Sequence, residues 1–139
     1  MSQRIKNLSF VVFVVCLTGV IVQANTTGTT VAFKYVAWIP HFDKIGHFAL
    51  MGALAFLALQ VFVPRMKSGH QNGVRRIIVI LLLFIGLEEG SQAFNPNRTF
   101  SIPDYLFSVA GVAVAVIVFS YWHTRNVRHA VKASSRTKE

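Results

Sequence analysis

Four blocks of apolar residues, each near the length needed to cross a bilayer, constrain this chain more than any other feature. They cover residues 8–24, 44–63, 77–94 and 103–122. A hydrocarbon core of about 30 Å takes about 20 helical residues to cross. Backbone polar groups inside it must be satisfied without water, which leaves helices or closed barrels. The blocks show a helical period or none, and lack the alternation of barrel strands. Together they fill more than half of the 139 residues, so no segment remains to bury a separate soluble core. The composition agrees, at 53% hydrophobic and 14% charged with a mean hydropathy of +0.52. The expected fold is an all-α membrane protein of four transmembrane helices, one domain over residues 1–139 with 123–139 as a basic tail.

A net charge of +9 would suit nucleic acid, but its distribution does not. Arg4 and Lys6 precede the first block; Arg65, Lys67, Arg75 and Arg76 separate the second from the third. Arg125, Arg128, Lys132, Arg136 and Lys138 follow the fourth, so eleven of the fourteen basic residues belong to one membrane side. That bias places both termini and the middle loop in the cytoplasm of a bacterial inner membrane. The tail then touches anionic lipid as an anchor, and no nucleic-acid partner is expected. Cys16, the single cysteine, has no disulfide partner and no zinc spacing, and reads as a small hydrophobe.

Residues 1–24 also match a secretory signal, with a basic start, an apolar run and a small-residue site at Val22-Gln23-Ala24. A retained helix is the preferred reading, because the run is long for a signal and the later helices need a packing partner. Residues 25–42 form the expected first external loop. Its NTTGTT start is turn-like, and Phe33, Tyr35, Trp38 and Phe42 suit the headgroup level. Asn25-Thr26-Thr27 matches a glycosylation acceptor but carries little weight in a chain that looks bacterial. The basic loop 64–73 shows no chemistry, with His70 expected to be solvated. Tyr121 and Trp122 form an aromatic collar before the tail.

Two polar stretches interrupt the apolar pattern. Residues 85–111, IGLEEGSQAFNPNRTFSIPDYLFSVAG, hold Glu88, Glu89 and Asp104, three of the five acids, with Gln92 and Arg98. Residues 43–47 hold Asp43, Lys44 and His47. Polar groups beside hydrocarbon are costly, so their presence calls for a reason. Asp43 is placed to cap the second helix and shares a face with His47 four residues on. Gly46, Ala49 and Ala53 offer that helix a close-packing side. Glu89 and Gln92, three apart, point the same way, and Gly86 and Gly90 thin the helix beside the acids. Ser101-Ile102-Pro103-Asp104 resembles a capping box with proline in the first turn.

Each residue has a structural explanation beside a chemical one. Asp43 and Asp104 would cap helices, His47 would be a satisfied core histidine, Arg98 would neutralise Glu88 or Glu89, and Lys44 would snorkel. The adjacent pair Glu88 and Glu89 resists this most, since two carboxylates at the edge of hydrocarbon repel unless one takes a proton or finds a cation. Three chemistries suit the set. His47 with a carboxylate would serve as general base and acid on a lipid or glycan headgroup whose phosphate Arg98 holds. Asp43, His47, Glu88 and Glu89 would coordinate a divalent cation. Proton transport fits least, with four short spans and no internal repeat.

At these residues the chain resembles the VanZ-like family of small helical membrane proteins, named for a component of glycopeptide-resistance clusters. The DKIGHF start of the second span, the EExxQ end of the third, the PNRTFSIPD loop and the following glycine carry the resemblance, over residues 43–111. It implies that Asp43, Lys44, His47, Phe48, Glu89, Gln92, Arg98, Asp104 and Gly111 occupy family positions, and that Glu88 matches an acid found in part of the family. Ser108 stands where the family usually has asparagine. The resemblance further implies lowered susceptibility to teicoplanin-type antibiotics through a change at the cell surface; it adds a location and a phenotype but no reaction. The resulting expectation is a polar site at the outer leaflet that binds or modifies a lipid or lipid-linked envelope component. Its catalytic set would be His47, Glu89, Asp43 and Asp104, and its binding set Arg98, Gln92, Glu88, Lys44 and Ser108. The alternative is a non-catalytic assembly subunit whose polar cluster locks its own bundle or a partner.

Overall fold

The computed structural model describes residues 2–28, 41–67 and 69–136, with backbone alone for 129–136. The loop aromatics Phe33, Tyr35 and Trp38, and the terminal Lys138 and Glu139, lie outside the described residues. Among those described the chain forms four helices and no strand: α1 Gln3–Thr27, α2 Phe42–Phe62 with a 3-10 turn at Val63–Arg65, α3 His70–Gln92 and α4 Ile102–Arg136.

Among the described residues, three segments are long and apolar enough to cross a membrane: Gln3–Thr27, Phe42–Arg65 and Ile102–Arg128. The third expected span is the exception. Arg75 and Arg76 at one end of α3 and Glu88 and Glu89 at the other leave an uncharged run of only residues 77–87, roughly 16 Å at 1.5 Å per residue. Even so, Val79, Ile80, Leu83, Phe84 and Leu87 leave its outer face apolar and exposed, like the outer faces of α1 and α4.

Helix ends depart from the sequence expectations where side chains intervene. NTTGTT does not begin a turn at Asn25, because α1 continues to Thr27 and closes on Gly28 in the left-handed conformation. Its last carbonyls find donors in the distant NPN loop: Asn95 Nδ2 donates to Asn25 O at 3.0 Å, and Asn97 Nδ2 donates to Thr26 O at 3.1 Å. A side chain at residue 28 would press on Asn97 O at 3.0 Å. Likewise α3 starts at His70, which is not merely solvated: its ring stacks on His123 with centroids 3.7 Å apart and on Phe119 at 5.6 Å. The basic tail continues α4 as helix through Arg136.

Successive helices run in opposite directions. Arg65 donates to Asn7 Oδ1 at 2.8 Å, and His70 meets His123, so the start of α1, the α2–α3 connection and the far half of α4 share one end. Asn25, Asp43, Glu89 and Asp104 gather at the other. At the centre lies α2, with Leu54, Ala55, Ala58 and Leu59 buried against Ile77, Leu81 and Ile85 of α3 and Val112, Ala115 and Phe119 of α4. Its close-packing side is not Gly46, Ala49 and Ala53: nothing lies within 4 Å of a side chain built at Gly46, and Ala49 is exposed. The backbones meet instead at Gly52 and Gly111, where a Cβ on Gly111 would collide with Phe48 O and one on Gly52 would stand 3.1 Å from Gly111 O. Small residues permit such an approach, and in lipid it is dispersion and local hydrogen bonding, not exclusion of water, that hold helices together.

Candidate functional site

One turn from the glycine crossing, the facing sides of α2 and α4 turn polar. His47 Nδ1 and Ser108 Oγ share a hydrogen bond at 3.3 Å, while His47 Nε2 stands 3.8 Å from Asp104 Oδ2. Lys44 Nζ lies 2.9 Å from Asp43 Oδ2 and 3.5 Å from Asp104 Oδ1. Asp43, Lys44, His47, Asp104 and Ser108 thus form one chain of contacts between two helices. Asp43 is not the helix cap; His41 holds that position with φ 58° and no side-chain cap bond. Asp43 occupies the first turn, where its charge suits the helix dipole, and its partner is Lys44.

The third helix enters through α4's start. In a capping box the acid three residues into the helix accepts from the capping residue's own N–H. Here Asp104 N–H reaches Ser101 Oγ at 3.4 Å, but Ser101 N–H donates to Glu89 Oε1 of α3 at 2.8 Å. Glu89 supplies the acceptor that Asp104 would have been. The Asp104 carboxylate is thereby released to face Lys44 and His47. Its Oδ1 is buried, with the Lys44 ion pair but no hydrogen bond. Glu89 is 2% exposed and close enough to His47, Glu88 and Asp104 to feel their charges.

Two members stand apart. Gln92, also 2% exposed, donates to Glu88 Oε1 at 2.9 Å, a pair within α3. Arg98 makes no ion pair with Glu88, Glu89 or any other carboxylate among the described residues. It lines a separate open cleft of about 210 Å³ with Gly28, Pro96, Asn97 and Thr99. Glycines matter less beside the acids than their positions suggested: Gly86 has an ordinary 3.9 Å approach to Tyr105, and Gly90 faces open space. The sequence reading missed Ser101 as the partner of Glu89 and Asn95 and Asn97 as caps for α1. The S-x-x-D pattern was the available signal for the first; nothing local marks the second.

Chemically, the order hydroxyl, imidazole, carboxylate is that of a serine hydrolase, but with the ring reversed, since there the hydroxyl bonds Nε2 and the carboxylate Nδ1. Ser108 is 1% exposed between the helices, so its oxygen is closed to a substrate and its role here is to orient His47. The arrangement offers three titratable side chains, His47, Asp104 and Glu89, within one cluster. Among the described residues no group of three or more His, Cys, Asp or Glu side chains converges to hold a metal ion, so the set Asp43, His47, Glu88 and Glu89 is not assembled as a ligand sphere.

Membrane-length helices closing over a partly buried cluster of acid, imidazole and hydroxyl define the class: a helical membrane protein with a polar cluster at one end of its bundle. The chain belongs to the VanZ/LLP1 family, whose model matches residues 4–123. No curated protein and no solved structure matches it.

Proposed function

We propose that this protein binds or modifies a lipid or lipid-linked cell-envelope component at the outer leaflet of a bacterial inner membrane, and thereby affects susceptibility to teicoplanin-type glycopeptides. All four helices lie in the bilayer, with both termini and the α2–α3 connection in the cytoplasm; the clustering of basic residues at that end supports this orientation. His47 and Glu89 handle the proton, Asp104 and Gln92 orient them, and Arg98 holds the anionic part of the ligand. Lys44, engaged by Asp43 and Asp104, tunes the carboxylates rather than holding the ligand. Membrane lipids are its partners, with an oligomer or a partner protein compatible with the exposed apolar faces.

The observation that carries this reading is Glu89, a 2% exposed carboxylate with one backbone donor and, among the described residues, no ion-pair partner. A structural need at that position would be met by glutamine, which keeps the acceptor for Ser101 N–H and removes the charge. Glu89→Gln and His47→Asn should therefore leave accumulation and melting intact while abolishing the change in glycopeptide susceptibility of a host that expresses the protein. The second reading is favoured by the contacts themselves, because His47–Ser108 and Lys44–Asp104 cross between helices. On that reading the cluster locks a non-catalytic assembly subunit, and the two variants fail to accumulate or lose their melting transition.

A further inference from the structure

We propose that the cleft between the end of α1 and the loop before α4 is an anion subsite that takes a phosphate or phosphodiester group. The inference deepens the outer-face reading above, but its geometry is independent of the His47–Glu89 cluster.

Four observations carry it. First, among the described residues the lining, Gly28, Pro96, Asn97, Arg98 and Thr99, contains a guanidinium and a hydroxyl but no carboxylate. Four acids lie at the same end of the bundle, yet none borders this cleft. Second, Arg98 is half-buried and has no ion-pair partner among the described residues. Its planar fork of donors matches two oxygens of a phosphate or phosphodiester. Third, the wall has already been neutralised. A helix C-terminus repels anions through its free carbonyls, but Asn25 O accepts from Asn95 and Asn97 at 3.0 and 3.2 Å, and Thr26 O accepts from Asn97 at 3.1 Å. These amides cover the negative end of α1 on the side where the cleft opens. Fourth, the loop is rigidly placed. Asn97 N–H donates to Asn95 Oδ1 at 2.9 Å, Arg98 N–H to Asn95 O at 3.1 Å, and Ser101 N–H to Glu89 at 2.8 Å. Arg98 and Thr99 are thus held between anchored neighbours, and among the described residues the Thr99 amide and hydroxyl have no hydrogen-bond partner.

At about 210 Å³ the cleft is smaller than the roughly 300–1,000 Å³ typical of sites for drug-sized molecules. It suits a headgroup fragment, not a whole glycan. The same chemistry could come from a phospholipid headgroup or from a soluble phosphate, and the test separates the two.

The full chain, purified in neutral detergent, is titrated by calorimetry in two arms, one with inorganic pyrophosphate and one with dihexanoyl phosphatidylglycerol. Dihexanoylglycerol, which lacks the phosphate, is the control for chain binding. Binding in the first arm alone assigns the cleft to a soluble anion, and in the second alone to a lipid headgroup; either supports the proposal if it weakens at least tenfold in Arg98→Gln. Arg98→Lys should retain part of the affinity, as a point charge without the fork, and Arg76→Gln at the opposite end should retain all of it. Should Arg98→Gln lose its melting transition, Thr99→Val carries the test, with several-fold weaker binding expected. No binding in either arm, or binding equal in wild type and the Arg98 and Thr99 variants, overturns the proposal. Because the readout is binding and not susceptibility, this result and that of the Glu89 and His47 variants can fail separately.

Discussion

At the scale of single residues, the tightest constraint is where two backbones touch. Gly111 packs against Phe48 O with no room for a Cβ, so Gly111→Ala must push α4 off α2. Overpacking of this kind costs about 1–3 kcal/mol. The expected result is a lower melting temperature and a loosened His47–Ser108 contact one turn away; an unchanged melting curve would mean that the helices slide past each other freely. The acids follow a different logic. Glu89 takes over the capping role that the local pattern assigns to Asp104, and Asp104 faces Lys44 and His47 because it is relieved of that duty.

At the scale of elements, the two ends of the bundle are joined in contrasting ways. The acidic end is tied by hydrogen bonds from asparagine side chains to the end of α1. The basic end is tied by stacked rings, His70 of α3 on His123 and Phe119 of α4. His70 lies outside the membrane-spanning segments; burial, and secondarily the neighbouring His123, holds its imidazole below the ordinary value of 6.5. The unfolded chain accepts that proton near 6.5 while the folded chain resists it, so stability is unaffected above this pH and falls as pH drops below it. Melting in neutral detergent between about pH 8 and about pH 5 should show the loss. His70→Phe keeps a ring in the stack and should narrow the gap; a gap of the same size would assign the acid sensitivity to other groups.

At the scale of the whole molecule, alternating helix directions put both termini and the α2–α3 connection at the basic end. In an intact cell, a cysteine at Asn97 should then react with a membrane-impermeant thiol reagent, whereas one at Lys67 should react only after permeabilisation. Cys16, exposed midway along α1, should stay unlabelled in both conditions, as expected of a helix that crosses the bilayer. Labelling at Lys67 without permeabilisation would reverse the orientation and remove the outer-leaflet assignment with it.

The sequence by itself determined the class. Apolar blocks too long and too uncharged for a soluble core leave helices as the answer, and their order makes His47, Glu89 and Asp104 available to meet at one end. It could not determine which contact each polar side chain takes, because that depends on distances between helices far apart along the chain. Tertiary structure decided that Glu89 caps α4, that Ser108 meets His47, and that Arg98 stands apart from the acids. It also decided the close-packing face of α2. Periodicity marks several small residues as candidates, but only Gly52 has a glycine across from it, and two backbones approach closely only where neither carries a side chain.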